Sequence, residues 1–421
     1  MKRPIRIFSL NLVFIIISMS CSTTPASHLA STIIPLDFFG LVHAGESFEE
    51  YQLLGELGAV WLLQTFYWDR IENKQGVFNF TWYDNFINTA KENGKKVIAV
   101  MAYGSPWTGD KDRYISNENI HHFLNFLSVV VNRYKGKVDA WQIWNEPNFM
   151  FWNGSDNEYF ELSKLSAECI RETYPDAYII GGGLWRTPKG FIRGMHKAGA
   201  FENLDAISFH PYAVNPSGAM KLHDDFIKIL AELNFTGELW ITEIGYPTGG
   251  WYPTRVSMEN FSSYVLKTIA GSISRGARTL LWYQFVDPYN EGEYPNEDNS
   301  EDYFGLTYPD RTKKNGGWAY ELCARFLPGS KYLKNLPQRD NVGANIISFC
   351  FMEGDRGNTL IMWNDRSSKQ KIKITIGAAF TLHNISTGER IVLPDDTILD
   401  ISGVPVFITW EGTAVPKISR N

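Results

Sequence analysis

The sequence predicts a closed (β/α)8 barrel followed by a small β-sandwich, and three observations carry that prediction. Eight short apolar runs alternate with amphipathic helical stretches between about residues 36 and 327. The runs are apolar almost throughout, as parallel strands buried on both faces require. Beyond about Leu327 the rhythm changes, and strands separated by turns replace the strand–helix units. Eight alternations favour a closed barrel over an open doubly wound sheet, and no Gly-rich phosphate loop supports the open form.

The strand candidates begin with residues 38–42, 59–63, 96–100 and 140–144. They continue with 178–181, 206–209, 239–242 and 279–283. Amphipathic stretches over 48–57, 82–92, 120–134, 159–173 and 261–274 lie between them. Gly58, Gly94, Gly136 and Pro175 supply the helix stops. In the C-terminal part, 346–351, 359–363, 371–376 and 404–410 read as strands punctuated by turn residues such as Asp355-Arg356-Gly357. The expected layout is a leader over 1–20, a tether over 21–35, a barrel over 36–330 and a sandwich-like domain over 331–421.

The 421 residues suit a barrel of about 250 residues or more plus an addition. An apolar fraction of 44% can fill a sizeable core, and 20% charged residues argue against disorder. A net charge of -6 provides no electrostatic footprint for nucleic acid. At the N-terminus, Lys2, Arg3 and Arg6 precede an apolar run from Ile7 through Ile17, the pattern of an export signal rather than a membrane span. Ser18-Met19-Ser20-Cys21 resembles a bacterial lipobox, with Ser18 where Leu is usual. The expectation is export, with lipidation of Cys21 as the only membrane attachment. Cys169, Cys323 and Cys350 are widely spaced, and neither a disulfide framework nor a zinc site is signalled.

In such a barrel the reacting groups gather at the C-terminal ends of the strands. Strand four ends in Trp144-Asn145-Glu146-Pro147-Asn148, and strand seven in Thr242-Glu243-Ile244-Gly245-Tyr246. Each puts one carboxyl directly after an apolar strand. Two carboxyl groups on opposite sides of an anomeric carbon are what glycoside cleavage needs: one protonates the leaving oxygen, the other attacks the sugar or activates water. This pairing resembles clan A glycoside hydrolases, in which these strand ends carry the catalytic pair. The resemblance covers the whole barrel. It implies Glu146 as acid/base, Glu243 as nucleophile and Asn145 as a partner of the sugar 2-hydroxyl. It also implies a carbohydrate substrate and no cofactor or metal.

Other strand ends add candidates for substrate binding. Phe209-His210-Pro211-Tyr212 is similar to the His-x-Tyr of the clan, and makes His210 and Tyr212 candidates. Trp282 stands where relatives have the floor beneath the reacting sugar. Gln284, Tyr246, His43, Tyr103 and Trp107 are further rim candidates, and Trp152, Trp185, Trp251 and Tyr289 lie on loops able to stack on neighbouring sugars. One departure stands out: relatives carry an Arg near the end of strand two, where this chain offers Leu63 or Gln64. Losing that cation weakens stabilisation of an ionised nucleophile.

Trp68-Asp69-Arg70-Ile71-Glu72 with Gly76, Ser208-Phe209-His210-Pro211-Tyr212, and Arg311-Thr312-Lys313 most resemble glycoside hydrolase family 39, while families 5, 51 and 53 share enough of these features to stay open. That family implies a retaining β-glycosidase acting on an external polysaccharide or oligosaccharide. A weakened, glycan-binding surface lipoprotein and a transglycosidase are the competing readings.

Overall fold

The computed structural model describes residues 33–420 apart from 46, 251–254, 290–294, 334–335, 337, 341 and 367. Cys21, its flanking signal and Trp251 therefore lie outside the described residues.

Eight strands close into one parallel barrel in sequence order. They are β1 Phe39–Val42, β2 Trp61–Tyr67, β3 Lys96–Ala102, β4 Ala140–Ile143, β5 Ile179–Trp185, β6 Ala206–His210, β7 Glu238–Ile244 and β8 Thr279–Trp282. Strand β1 pairs with both β2 and β8, which completes the ring. The expected barrel is what forms. Side chains alternate across each strand. Val42, Trp61, Leu63, Ile98, Val100, Ala140, Ile180, Ala206, Trp240 and Leu281 fill the interior. Trp61 and Trp240 meet edge to face there, with ring centroids 5.0 Å apart.

The outward residues of the same strands pack under the helices. These are α1 Phe48–Glu56, α2 Trp68–Ile71, α3 Thr81–Glu92, α4 Ile120–Tyr134, α5 Asp156–Thr173, α6 Lys189–Lys197, α7 Pro216–Glu232, α8 Met258–Ser274 and α9 Asn315–Phe326. Helix α4 shows the pattern plainly: Phe123, Phe126, Leu127, Val130, Val131 and Tyr134 form one buried stripe at helical spacing. Burying each such aliphatic or Phe side chain contributes roughly 1.5–3 kcal/mol. Helix α5 starts at a capping box between Ser155 and Glu158. Asn215 caps α7, with Pro216 at its first position.

After α9 the described residues build two sheets. One has six strands in the order β15-β14-β17-β12-β11-β9, the other four in the order β10-β18-β13-β16. The strands are β9 Lys331–Leu333, β10 Gln338–Asp340, β11 Ile346–Gly354, β12 Gly357–Asn364, β13 Gln370–Thr375, β14 Phe380–His383, β15 Arg390–Leu393, β16 Thr397–Ile401, β17 Val406–Trp410 and β18 Lys417–Arg420. Period-two alternation lets β12 serve two interfaces. Leu360 and Met362 join the sandwich core with Ile372, Ile374 and Ile418. Ile361 and Trp363 join the barrel's outer core. Lys267 of α8 adds a 2.7 Å bond to the Gly403 carbonyl.

Candidate active site

The C-terminal mouth of the barrel opens into a cavity of about 440 Å³. Val42, His43, Leu63, Thr65, Tyr67, Tyr103, Asn145, Glu146, Tyr212 and Glu243 line it from the strand ends. Phe149, Met150, Phe151, Trp185, Tyr283, Glu301 and Phe304 complete the wall. Among these described residues there is no Lys or Arg.

Glu146 is seated by its own backbone and its neighbours. Trp144 and Glu146 adopt left-handed conformations, with φ of 66° and 43°. Such positions cost about 1–3 kcal/mol each for non-glycine residues and persist where the surroundings impose them. Three contacts impose this one. The Glu146 amide donates to the Gly183 carbonyl at 2.9 Å, and the Phe149 amide donates back to the Glu146 carbonyl at 3.0 Å. Inside the barrel, Gln142 Nε2 donates to the Trp144 carbonyl at 3.1 Å. Gln142 in turn accepts from Ser208, whose hydroxyl also accepts from the Gly183 amide. Gly183 has φ of 54°, and a Cβ there would come within 2.7 Å of Gln142 Nε2.

His210 joins the two carboxyl groups. Its Nδ1 is 2.8 Å from Glu146 Oε1 and 3.5 Å from Glu243 Oε2, while Nε2 is 3.1 Å from Thr242 Oγ1. One oxygen of each glutamate and one nitrogen of His210 all lie within 4.8 Å of one another. Tyr212 donates to Glu243 Oε2 at 3.4 Å. Carboxyl groups about 5–5.5 Å apart suit direct attack on the sugar, whereas a water-activating pair needs about 6.5–9.5 Å.

Electrostatics set the protonation pattern. Burial pushes the Glu243 carboxyl up, the His210 imidazole pulls it down, and the Glu146 and Glu301 carboxylates add to the rise; the result is about 7. Burial alone would lower His210, but Glu243 and Glu146 together outweigh it and raise that group. Burial also keeps the Tyr103 hydroxyl above its ordinary range, opposed by a hydrogen bond with Asn145.

The structure brings most sequence candidates together but not all. His43, Tyr103, Asn145, Glu146, Tyr212 and Glu243 line the cavity, and His210 lies directly behind it. Trp282 does not form the floor: it is fully buried and packs on Tyr246 and Phe261. Tyr246 bonds Thr268 within the core. Gln284 donates to the Glu301 carbonyl, and Trp107 donates to the Glu72 carbonyl, both away from the cavity lining. Gln64 faces outward beside Arg70 and Trp82, so Leu63 occupies the strand-two position. Of the loop aromatics, Trp185 lines the cavity, while Trp152 is buried against Trp144.

Tyr283 and Glu301 are site residues that the sequence reading passed over. The Tyr283 hydroxyl donates to Glu301 Oε2 at 2.7 Å. A buried ion pair braces this wall: Lys314 Nζ lies 2.6 Å from Asp287 Oδ2 and also reaches Thr248 Oγ1 and the Tyr303 carbonyl. Burial lowers Lys314 and raises Asp287, and each offsets the other.

A family model described as "Beta-galactosidase", of the glycosyl hydrolase 42 group, matches residues 46–111. Endo-1,4-beta-xylanase A of Phanerodontia chrysosporium is 29% identical over 124 residues, covering 26% of this chain and 29% of that protein. Endo-1,4-beta-xylanase 3 of Hypocrea jecorina is 32% identical over 96 residues, covering 22% and 27%. The chain thus spans less than a third of the length of these curated relatives. Likeness in structure extends much further. A family 39 glycoside hydrolase from Bacteroides cellulosilyticus WH2 superposes with a TM-score of 0.74 at 20% identity, over 92% of this chain and 82% of that one. A GH39 β-xylosidase from Caulobacter crescentus gives 0.64 at 16% identity, over 91% and 98%. Barrel and appended sheets together are therefore the fold that these family 39 enzymes carry.

Proposed function

We propose that this chain is a retaining glycoside hydrolase of clan A, of the family 39 kind, that cleaves β-glycosidic bonds in an external saccharide. The observation that carries this reading is the convergence of Glu146, His210 and Glu243 within 4.8 Å at an open cavity. Glu146 gives its proton to the leaving oxygen as Glu243 attacks the anomeric carbon, forming a glycosyl ester and releasing the aglycone. In that ester the Glu243 charge is gone, so Glu146 takes a proton from water as the water oxygen attacks the anomeric carbon; the C1–O bond to Glu243 breaks, freeing the carboxylate and the sugar with overall retention. His210 orients Glu146, and Tyr212 orients Glu243. The matched regions of xylanases support a pentose as the glycone, and the β-galactosidase family match over residues 46–111 a neutral hexose.

A panel of aryl β-glycosides and polysaccharides tests the reading. Wild type releases nitrophenol, and proton NMR shows the first-formed sugar with the substrate's anomeric configuration. Glu243→Ala abolishes turnover. In Glu146→Ala, loss is severe for poor leaving groups and mild for good ones, and azide restores rate as a β-glycosyl azide. Inversion of configuration would defeat the mechanism.

A second reading, a glycan-binding barrel with weakened catalysis, is favoured by Leu63 in the place of a cation and by the raised Glu243. Saccharide binding without turnover by wild type would select it. Attachment through a lipidated Cys21 belongs to the proposal as well; loss of membrane partitioning in Cys21→Ala tests it.

A further inference from the structure

We infer that Phe149, backed by Trp185, is a stacking platform for the leaving group, so that the site selects substrates whose aglycone offers a flat apolar face. The inference rests on the reading of Glu146 as the proton donor.

A donor to the leaving oxygen must sit on the aglycone side of the cavity. Phe149 follows Glu146 by three residues, and its amide bonds the Glu146 carbonyl at 3.0 Å. Its ring is therefore tied to the donor's side, whereas Glu243, Tyr283 and Glu301 enter from β7 and beyond β8. The Phe149 and Trp185 rings stack with centroids 4.1 Å apart and planes 11° from parallel. Both rings line the cavity, yet Phe149 stays 43% exposed and the adjacent Met150 57%. An exposed apolar cluster at the edge of a polar cavity marks a contact surface.

The pair is also held in place before any ligand arrives. Asn148 Nδ2 donates to the Trp185 carbonyl at 2.9 Å, and the Trp185 amide donates to Asn148 Oδ1 at 2.9 Å. This reciprocal bond locks the loop after β4 to the end of β5. A platform that need not be ordered on binding loses less affinity to entropy. The matching ligand class is a second β-linked pyranose, which presents a face of axial hydrogens, or an aromatic aglycone.

Calorimetry with phenyl and methyl 1-thio-β-glycosides of xylose, glucose and galactose tests this without turnover. For each sugar that binds, wild type is expected to hold the phenyl compound about tenfold more tightly than the methyl one. Phe149→Ala should reduce that preference to within about twofold, and Phe149→Trp should restore it. Equal binding of the two classes by wild type, binding of neither, or an equal loss of both in Phe149→Ala overturns the inference. A phenyl preference that depends on Phe149, in a protein that hydrolyses no aryl glycoside, supports the platform and defeats the hydrolase reading alone.

Discussion

His210 Nδ1 bonds Glu146 at 2.8 Å and stands 3.5 Å from Glu243, whose ionised form it favours. Leu63 occupies the cavity-facing position near the end of β2, so no side-chain charge comes from there. Burial then dominates, and Glu243 rises to about 7.

This relationship sets the pH profile. In the proposed reaction Glu243 must be ionised to attack, so activity is expected to fall as pH drops through about 7, well above the ordinary carboxylate range. Leu63→Arg supplies a neighbouring charge and should move that acid limb down by about one unit or more. The check is kcat/KM against pH for both proteins; coincident acid limbs would count against the electrostatic account.

The same shift carries a cost in stability. A carboxyl whose folded pKa exceeds its unfolded value favours the protonated form, so the penalty is absent below about pH 4.5. It grows between about 4.5 and 7 and is constant above. At 1.36 kcal/mol per unit the full penalty is about 3 kcal/mol. Glu243→Gln should therefore unfold at a higher temperature than wild type at pH 8, with the gap closing towards pH 4. A gap independent of pH would refute the linkage.

Lys314 and Asp287 are both 1% exposed and hold the wall that carries Tyr283 and Glu301. Removing one partner of a buried pair leaves an uncompensated charge, at about 3–5 kcal/mol. Lys314→Met should lose that much in urea unfolding. The double change Lys314→Met with Asp287→Leu should recover most of it. If the double variant is no better than the single one, packing rather than charge accounts for the loss.

Two carboxyl groups supply both the proton and the nucleophile in the proposed reaction, and both His210 nitrogens are engaged in hydrogen bonds. Treatment with EDTA is expected to leave the hydrolysis rate unchanged. A large loss restored by a divalent cation would assign Glu146, His210 and Glu243 to a metal instead.

The barrel was legible because its strands are continuous apolar runs, and the two glutamates because each ends such a run. The open choice between Leu63 and Gln64 and the misplacement of Trp282 share one physical origin, the two-residue period of a strand. In β2, Trp61, Leu63, Thr65 and Tyr67 face inward, so Gln64 cannot reach the cavity. In β8, inward Leu281 places Tyr283 at the mouth and sends Trp282 outward. Counting parity from the barrel interior would have found both. Glu301 had no such signal, because it arrives on a loop beyond β8 through a hydrogen bond to Tyr283. The short strands β14, β15 and β16 were missed because four or five residues of mixed exposure carry too little pattern.

Gly183 touches no part of the proposed chemistry with a side chain, yet its carbonyl receives the Glu146 amide and its empty side faces Gln142. A methyl group there would press on the glutamine that steadies the Trp144 carbonyl, and through it on the turn that aims Glu146, the proposed proton donor. Control over the strand-four acid is thus vested partly in the neighbouring strand, at a position that comparison of pocket walls alone would pass over.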